Sequence, residues 1–420
     1  MKKRVSMVMA AAMAASLAAS VATPAMAEGE NLTVFNSKME IQTQFEEVAS
    51  TYSESAGVAM EVYYSNDTVA AHMGSRYAAD DPYVMSMVDA KDVYSLGPEH
   101  AIDLSDQEWV ANTPYAISVD DKVLGFPVCV EARGVIYNAD AIEAITGEEF
   151  VPADYATLDA FKGLLDTLVE GGMAAPVGIL KEDWSIGAHF LAQVYEQQED
   201  PEAFVQSLYE GSADLINNEK FNALMDTFDV LMEYNYAKDS AIAAEREVTS
   251  QKLAEGEIAF MFGGNWDWSV INQYDYSENM GIMPVPQNLD DGANTKLTGG
   301  GSKYFYIDSA ESITDEQRQA AKDFLNWMVS DEAGQSFLVD SCALVPAFTN
   351  ISLEVADPLG ASVKEYADAG NLIPNYDYLP DDHYSICGAS FQKYLAGQID
   401  REGFAGELEA YWSSTTPVEH

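Results

Sequence analysis

Between Val123 and Asn138 the chain reads VLGFPVCVEARGVIYN, two strongly apolar runs interrupted by Glu131-Ala132-Arg133. Apolar runs of this kind suit a strand covered on both faces. Charges in the middle of such a strand are costly unless they are paired or serve a site. Either the strand crosses between two domains at this point or the charges line a site, and both can hold together.

A second stretch, LAEGEIAFMFGGNWDWS from Leu253 to Ser269, changes chemistry three times. Leu253, Ala254 and the turn at Glu255-Gly256-Glu257 read as the tail of a helix, and Ile258 to Phe262 reads as a buried strand. Gly263 and Gly264 are expected to break that strand through positive φ and close backbone approach. Trp266 and Trp268 then stand two apart among Asn265, Asp267 and Ser269. Aromatic residues in general are more often core than contact surface. Here the glycine pair and the polar neighbours favour two indoles displayed to a flat, half-apolar ligand.

At 420 residues the chain exceeds one compact core and predicts two domains. An apolar fraction of 48% and 23 tyrosines argue that it folds. Lys2, Lys3 and Arg4, the small and apolar run Val5 to Ala19, and Ala25-Met26-Ala27 before Glu28 read as an export signal over residues 1–27. The run is too alanine-rich and too short for the roughly 20 apolar residues of a stable membrane span. Leu17-Ala18-Ala19-Ser20 resembles a lipobox with serine in place of the lipidated cysteine, so the chain as written is not lipidated there. Removing the signal takes away three of the 21 basic residues and none of the 69 acidic ones, leaving a net charge of −51. Nothing could then neutralise the phosphates of a nucleic acid, which excludes that class of partner. Neutral or cationic ligands are favoured, although salt screens long-range repulsion beyond about 8 Å.

Cys129, Cys342 and Cys387 are an odd number for an exported protein, so at most one internal bridge can form, and Cys342 with Cys387 is the expected pair. No CxxC spacing and only five histidines argue against a structural zinc site. Asp290-Asp291-Gly292 and Asn294 lack the terminal glutamate of a calcium loop and read as a turn.

Along the chain, Leu32–Phe35, Ala59–Tyr64 and Pro82–Val88 read as strands, with an amphipathic helix over Ile41–Ser53. Asp103–Trp109 reads as helical. From Asp140 to Tyr236 the pattern is helical, with helices at Leu158–Glu170, Ile186–Glu196 and Phe221–Tyr234. Gly281–Pro286 and Tyr304–Ile307 read as strands separated by a glycine-rich loop at Leu297–Ser302. Asp315–Val329 is an amphipathic helix with Thr314 as its cap. Helices at Phe391–Leu395 and Phe404–Trp412 close the chain. This is an α/β pattern with parallel strands at its start.

No GxSxG, HExxH or GxGxxG occurs, nor a GxxxxGK followed by Ser or Thr. With 69 acidic residues a carboxylate pair is always available by chance, so composition offers no evidence for a glycosidase. With those residues in view, the mature chain resembles the extracellular solute-binding proteins of ABC transporters, in the carbohydrate-binding group that includes maltose-binding protein. The resemblance rests on Pro127–Asn138, on Gly256-Glu257 through Trp268-Ser269, on Gly299–Gly301 before a strand, and on the helix Ala320–Met328.

The resemblance implies a two-lobed periplasmic-binding-protein-like fold, with a central sheet in each lobe and a hinged interlobe cleft. The first lobe would comprise 28–129 and 283–330, and the second 130–282 and 331–420 with the C-terminal helices, hinged near Cys129, Ile282 and Ser330. It implies a receptor, not an enzyme, that takes a carbohydrate, chiefly a neutral oligosaccharide, and delivers it to a membrane permease with its ATPase. The protein would be a monomer without cofactor or metal, periplasmic or at the cell surface. An exported polysaccharide-active enzyme and a chemosensory receptor of the same fold are the alternatives. Carried over residue by residue, Glu131 presents a carboxylate to sugar hydroxyls and Trp266 is the stacking platform, with Trp268 beside it or packed behind it. Glu182, Trp184 and Tyr384 match further acid and aromatic positions, and Gly300 lies in the glycine segment. Asn36, Glu40 and Asp89 follow first-lobe strands, where Asp89 either contacts ligand or caps the next helix. Pro82-Tyr83 stands where the family has Pro-Asp, so the match loosens in that lobe.

Overall fold

The computed structural model describes residues 31–418, and the expected export signal lies outside them. The chain opens with strands β1 (Leu32–Asn36), β2 (Met60–Tyr63) and β3 (Met85–Val88), β1 pairing in parallel with the other two. Helix Gln42–Ala56 ends at Gly57, whose φ of 73° supplies the left-handed residue that closes a helix. Thr68 starts helix Val69–Ala78 by accepting from Ala71 N. Helix Ala90–His100 follows β3 directly. The expected helix at Asp103–Trp109 is a 3-10 turn over Glu108–Asn112.

Strand β4 (Ile117–Val119) turns into the long strand β5 (Lys122–Asn138). The remaining strands are β6 (Val177–Gly178), β7 (Phe260–Gly264), β8 (Met280–Met283), β9 (Leu297–Ile307), β10 (Val345–Pro346) and β11 (Leu372–Ile373). The first half of β5 runs antiparallel to β9, from Phe126↔Phe305 to Arg133↔Thr298. Its second half pairs with β7, from Arg133↔Gly264 to Tyr137↔Phe260, and with β8, from Val135↔Met283 to Asn138↔Met280. One strand therefore links the two halves of a single sheet, whose main order among the described residues runs β2-β1-β3-β9-β5-β7-β6. The change of partners falls on the charged interruption at Glu131–Arg133.

Alternate residues of these strands feed different cores, as the two-residue period of a strand requires. In β7, Phe260 and Phe262 meet Phe161 and Phe190 with ring centroids 4.9 Å apart in each pair. Met261, between them, faces the opposite side with Ile136 and Ile282. Helix Asp315–Ser330 is capped by Thr314, as expected, and brings Phe324 against Phe45. Phe337 lies 5.7 Å from the same Phe45 ring, so the chain just after Ser330 stays on this core. Burying each such ring contributes roughly 1.5–3 kcal/mol.

Three local expectations are corrected. Gly263 and Gly264 do not break β7; both are extended residues within it, Gly264 at φ −140°. Their lack of a side chain is required by crowding: a Cβ on Gly263 would come within 2.3 Å of the Asp267 carboxylate, and one on Gly264 within 2.3 Å of the Trp266 ring. The glycine-rich loop at Leu297–Ser302 is the first half of β9, paired with β5. There a Cβ on Gly299 would approach the Glu131 carbonyl to 2.3 Å. The helix expected over Ile186–Glu196 is a π-helical turn, Trp184–Phe190, followed by a short helix, Gln193–Glu196. Its wide turn lies where Gly187 meets Gly388 of helix His383–Leu395 so closely that a Cβ would come within 2.6 Å of that backbone.

The expected Cys342–Cys387 bridge is not formed. All three cysteines are free and buried, Cys129 and Cys342 in the larger core and Cys387 in the core built around Phe190 and Phe228. Burial pushes the Cys342 thiol up to about 12 and the other two higher still. Native protein should therefore leave a thiol-specific chromogenic reagent unreacted, and unfolding in guanidinium should release three thiols per chain. Release of only one would restore the bridge.

Candidate ligand cleft

The cleft begins with the loop that leaves β1. Asn36 is wholly buried: its amide donates to Lys38 O at 3.0 Å and Gln42 Oε1 at 2.8 Å, and its Oδ1 accepts from Lys38 N at 2.8 Å. All its polar groups are thus spent on shaping the loop, which corrects the expectation of a ligand contact. The loop delivers Lys38, a side chain only 3% exposed, whose ammonium lies 2.9 Å from Glu40 and 2.6 Å from Glu131. Burial alone would lower the Lys38 pKa, but the two carboxylates outweigh it and raise it well above the ordinary lysine value. For Glu40 burial pushes upward, and Lys38 prevails and holds the carboxyl below its usual range.

Glu131 is 13% exposed on β5, facing Gly300 of β9 in register. Its second oxygen accepts a short hydrogen bond from the Ser302 hydroxyl. Of the three glycines in this part of β9, Gly300 alone has room for a Cβ, the nearest atom being the Asn375 amide nitrogen at 3.9 Å. Lys303, at φ 52°, turns its ammonium to Asp89 at 2.6 Å. Of the two roles left open for it, Asp89 takes the cap. It is the N-cap of helix Ala90–His100, its N–H bonded to Asp92, while its carboxylate binds Lys303 and stays 45% exposed. Burial works against the charged Asp89, yet Lys303 holds its pKa below the ordinary value.

Phe35, Asp89, Lys91, Lys303, Asp381 and Tyr384 are among the residues enclosing a cavity of about 230 Å³ here. Lys91 bonds Asp381 at 2.5 Å. Helix Ala90–His100 packs on a core with Val93 and Tyr304, whereas Tyr376 and Leu379 anchor the segment before Asp381 on the core of Phe190 and Phe391. The ion pair thus joins two separately packed bodies.

Aromatic groups line up beyond β5. Trp266 packs against His189, with ring centroids 4.6 Å apart, and His189 meets Trp184 edge-on at 5.9 Å. The Arg246 guanidinium lies 5.4 Å over Trp184 and binds Asp267 at 2.6 Å. Asp267 also accepts from Gly264 N at 3.1 Å, so the short helical turn after β7 is held from both ends. Asn265 Oδ1 accepts from Ala132 N at 3.1 Å, which ties this turn to the strand carrying Glu131. Glu182 is partly buried beside Trp184, its Oε2 is without a partner, and burial raises its pKa. Trp268 lies elsewhere: it is 9% exposed, packs on Tyr276 and belongs to the core with Ile271, so it is not displayed to ligand. After the 3-10 turn at Asn265–Asp267 the two indoles no longer share the direction that strand spacing would give them.

Arg133 answers the question of the buried charge. Its guanidinium binds both Glu196 oxygens at 2.5 and 2.6 Å, Asn375 Oδ1 at 2.7 Å and the His189 carbonyl at 2.8 Å. At 7% and 2% exposure this is a buried, bidentate pair. Such a pair contributes little to net stability but strongly penalises loss of one partner. It positions His189, and through it the Trp266 ring. Burial and the neighbouring Arg133 push His189 down to about 3, so its ring is neutral.

The sequence did not reveal Lys38, Lys91, Lys303, Ser302, Glu196, His189 or Asn375 as cleft residues. The available signal was scarcity: lysines at or within three residues of strands in a chain with so few cations. Among the described residues no cluster of His, Cys, Asp and Glu could hold a metal ion. The arrangement offers tethered carboxylates and ammonium groups on one side and ring faces on the other.

Two outcomes follow. Trp268→Ala should cost about 3–5 kcal/mol in guanidinium unfolding, the range for a large aromatic removed from a core. A loss below 1 kcal/mol would mean the ring is not core. Asp377, next to the Arg133 network, is pushed up to about 7 by burial and then by Glu196, against the opposing Arg133. An unfolded aspartate titrates near 3.9, so between about pH 4 and 7 the folded state holds a proton the unfolded state has lost, and stability falls as pH rises through that window. Asp377→Asn should remove this component; unfolding midpoints near pH 4 and 8 that differ equally in both proteins would refute it.

Comparison with known proteins agrees with this geometry. Residues 47–370 match the family described as bacterial extracellular solute-binding protein. The melibiose/raffinose/stachyose-binding protein MelE of Bacillus subtilis (strain 168) is 23% identical over 382 residues, covering 87% of this chain and 84% of that protein. The solute-binding protein RafE in complex with raffinose superposes with a TM-score of 0.74 at 18% identity, covering 91% of this chain and 98% of RafE. A chitin oligosaccharide binding protein superposes at 0.73 and 16% identity, covering 91% and 98%. The two-lobed solute-binding fold is therefore established, and among the described residues no helix is long and apolar enough to cross a membrane. The chain belongs to the bacterial extracellular solute-binding family.

Proposed function

We propose that this protein captures a neutral oligosaccharide between its lobes and delivers it to a membrane permease driven by an ATPase. The observation that carries the reading is the convergence of Glu131, bonded to Lys38 and Ser302, with the ring series Trp184, His189 and Trp266 through the Ala132–Asn265 hydrogen bond. A carboxylate accepts strong hydrogen bonds from sugar hydroxyls, while an indole face covers the apolar C–H face of a pyranose. Relatives named for melibiose, raffinose and stachyose support saccharides of two to four units as the first ligands to try.

Glu40, Glu131, Asp89, Trp184, Trp266, Gly300 and Tyr384 are the proposed contact positions, with Glu182 at the rim. The lobes would hinge where β5 changes partners near Cys129 and again near Ile282. The third crossing is assigned near Leu372–Ile373 instead of Ser330, because Phe337 still packs on Phe45. Ligand touching both lobes would favour the closed form. The exported protein would work in a periplasm or at the cell surface, as a monomer.

A thermal-shift panel tests the ligand class. A sugar at 100 times its Kd stabilises the folded state by about 2.7 kcal/mol, so at least one neutral saccharide should raise the melting temperature. A shift with an amino acid or polyamine and with no sugar would overturn the reading, as would turnover of the sugar to products. In calorimetric titration Trp266→Ala should weaken binding at least tenfold, about 1.4 kcal/mol. An unchanged Kd would remove the ring from the site.

A further inference from the structure

A second cavity, of about 420 Å³, lies beyond the cleft on the second lobe. Its walls include Tyr209, Tyr376 and Tyr378, with Asp200, Glu202 and Gln206 from helix Pro201–Tyr209 and the residue before it. Neither the family match nor the relatives assign it a role. We propose that it is an outer saccharide subsite, holding the far end of an oligosaccharide whose near end lies in the cleft. This rests on the oligosaccharide reading given above.

Volume is the first argument. Ligand pockets typically span about 300–1,000 Å³, and the second cavity falls within that range.

Connection is the second. Segment 376–378 stands between the two spaces with its residues alternating. Tyr376 and Tyr378 line the outer cavity, whereas Asp377 feels Glu196, Arg133 and Asp89. The Tyr378 ring also packs on Tyr94 at 4.7 Å. Tyr94 stands three residues after Lys91, on the same helical face, and Lys91 lines the cleft cavity. One helical step of three residues plus one ring contact puts the two spaces on the order of 10 Å apart, a distance one or two linked sugar units can bridge.

Composition is the third. Tyrosine faces cover C–H surfaces, and the carboxylates and amide accept and donate to hydroxyls. No lysine or arginine occurs among the described residues lining the cavity. An anionic ligand would find no countercharge there, whereas an uncharged chain meets no such penalty.

The test is calorimetric titration of the full mature chain with melibiose, raffinose and stachyose, a series of increasing length. Two variants accompany the wild type. Gln206→Trp and Ala203→Trp, at exposed helical positions on the cavity wall, fill the space without touching the core. Wild-type affinity should rise with length. Both variants should lose at least tenfold in affinity for stachyose while staying within twofold for melibiose. An unchanged stachyose affinity in Ala203→Trp overturns the proposal, and so does an equal loss at every length. If the wild type binds none of the three, the oligosaccharide reading fails first and the subsite with it.

Discussion

Strand β5 is the constraint on which the rest of the structure depends. A single hydrogen-bonded strand changes partners along its length, pairing with β9 as far as Arg133, with β7 from Arg133 onward and with β8 from Val135 onward. Where the partners change, both faces cannot be covered by continuous sheet and helix layers, and a gap opens. Glu131 and Arg133 stand there two residues apart, and both bind partners distant in sequence: Glu131 binds Lys38, and Arg133 binds Glu196. The cleft and its first polar residues thus follow from one change in strand pairing.

The cleft is more evenly balanced in charge than the molecule as a whole. The chain carries 69 acidic residues, yet cations converge on the first-lobe side of the cleft as Lys38, Lys91 and Lys303. Each is matched by carboxylates, so the surface is close to neutral while rich in charged donors and acceptors. Such a surface can bond many hydroxyls without demanding a charged ligand. The buried Arg133–Glu196 pair works differently. Its energy is spent on positioning, holding the carbonyl of His189 and the side chain of Asn375, and so fixing where the aromatic wall stands.

Much of this was legible in advance because the signals were local. The interrupted strand, the helix cap at Thr314 and the turn at Glu255–Glu257 depend on near neighbours or on a long apolar pattern, both visible in the chain. The errors share one cause. Gly263, Gly264 and Gly299 read as breaks because glycine permits unusual backbone angles, but each is extended and is glycine because another group sits where its Cβ would be. Asn36 and Trp268 had the right chemistry for ligand and were used internally, one by the loop it shapes and the other by the core. The cysteines were paired by number and compartment, and the fold puts Cys342 and Cys387 in different cores.

By itself the amino-acid order determined that the chain is α/β and that one strand must carry charge through an apolar setting. These follow from composition and periodicity, which do not depend on distant contacts. Only the tertiary structure decided which tryptophan faces the cleft, which lysines neutralise its acids and where the second cavity lies. Those outcomes depend on side chains brought together from positions as far apart as Lys38 and Glu131, or Lys91 and Asp381. No local pattern encodes a distance between residues that meet only after the sheets have formed.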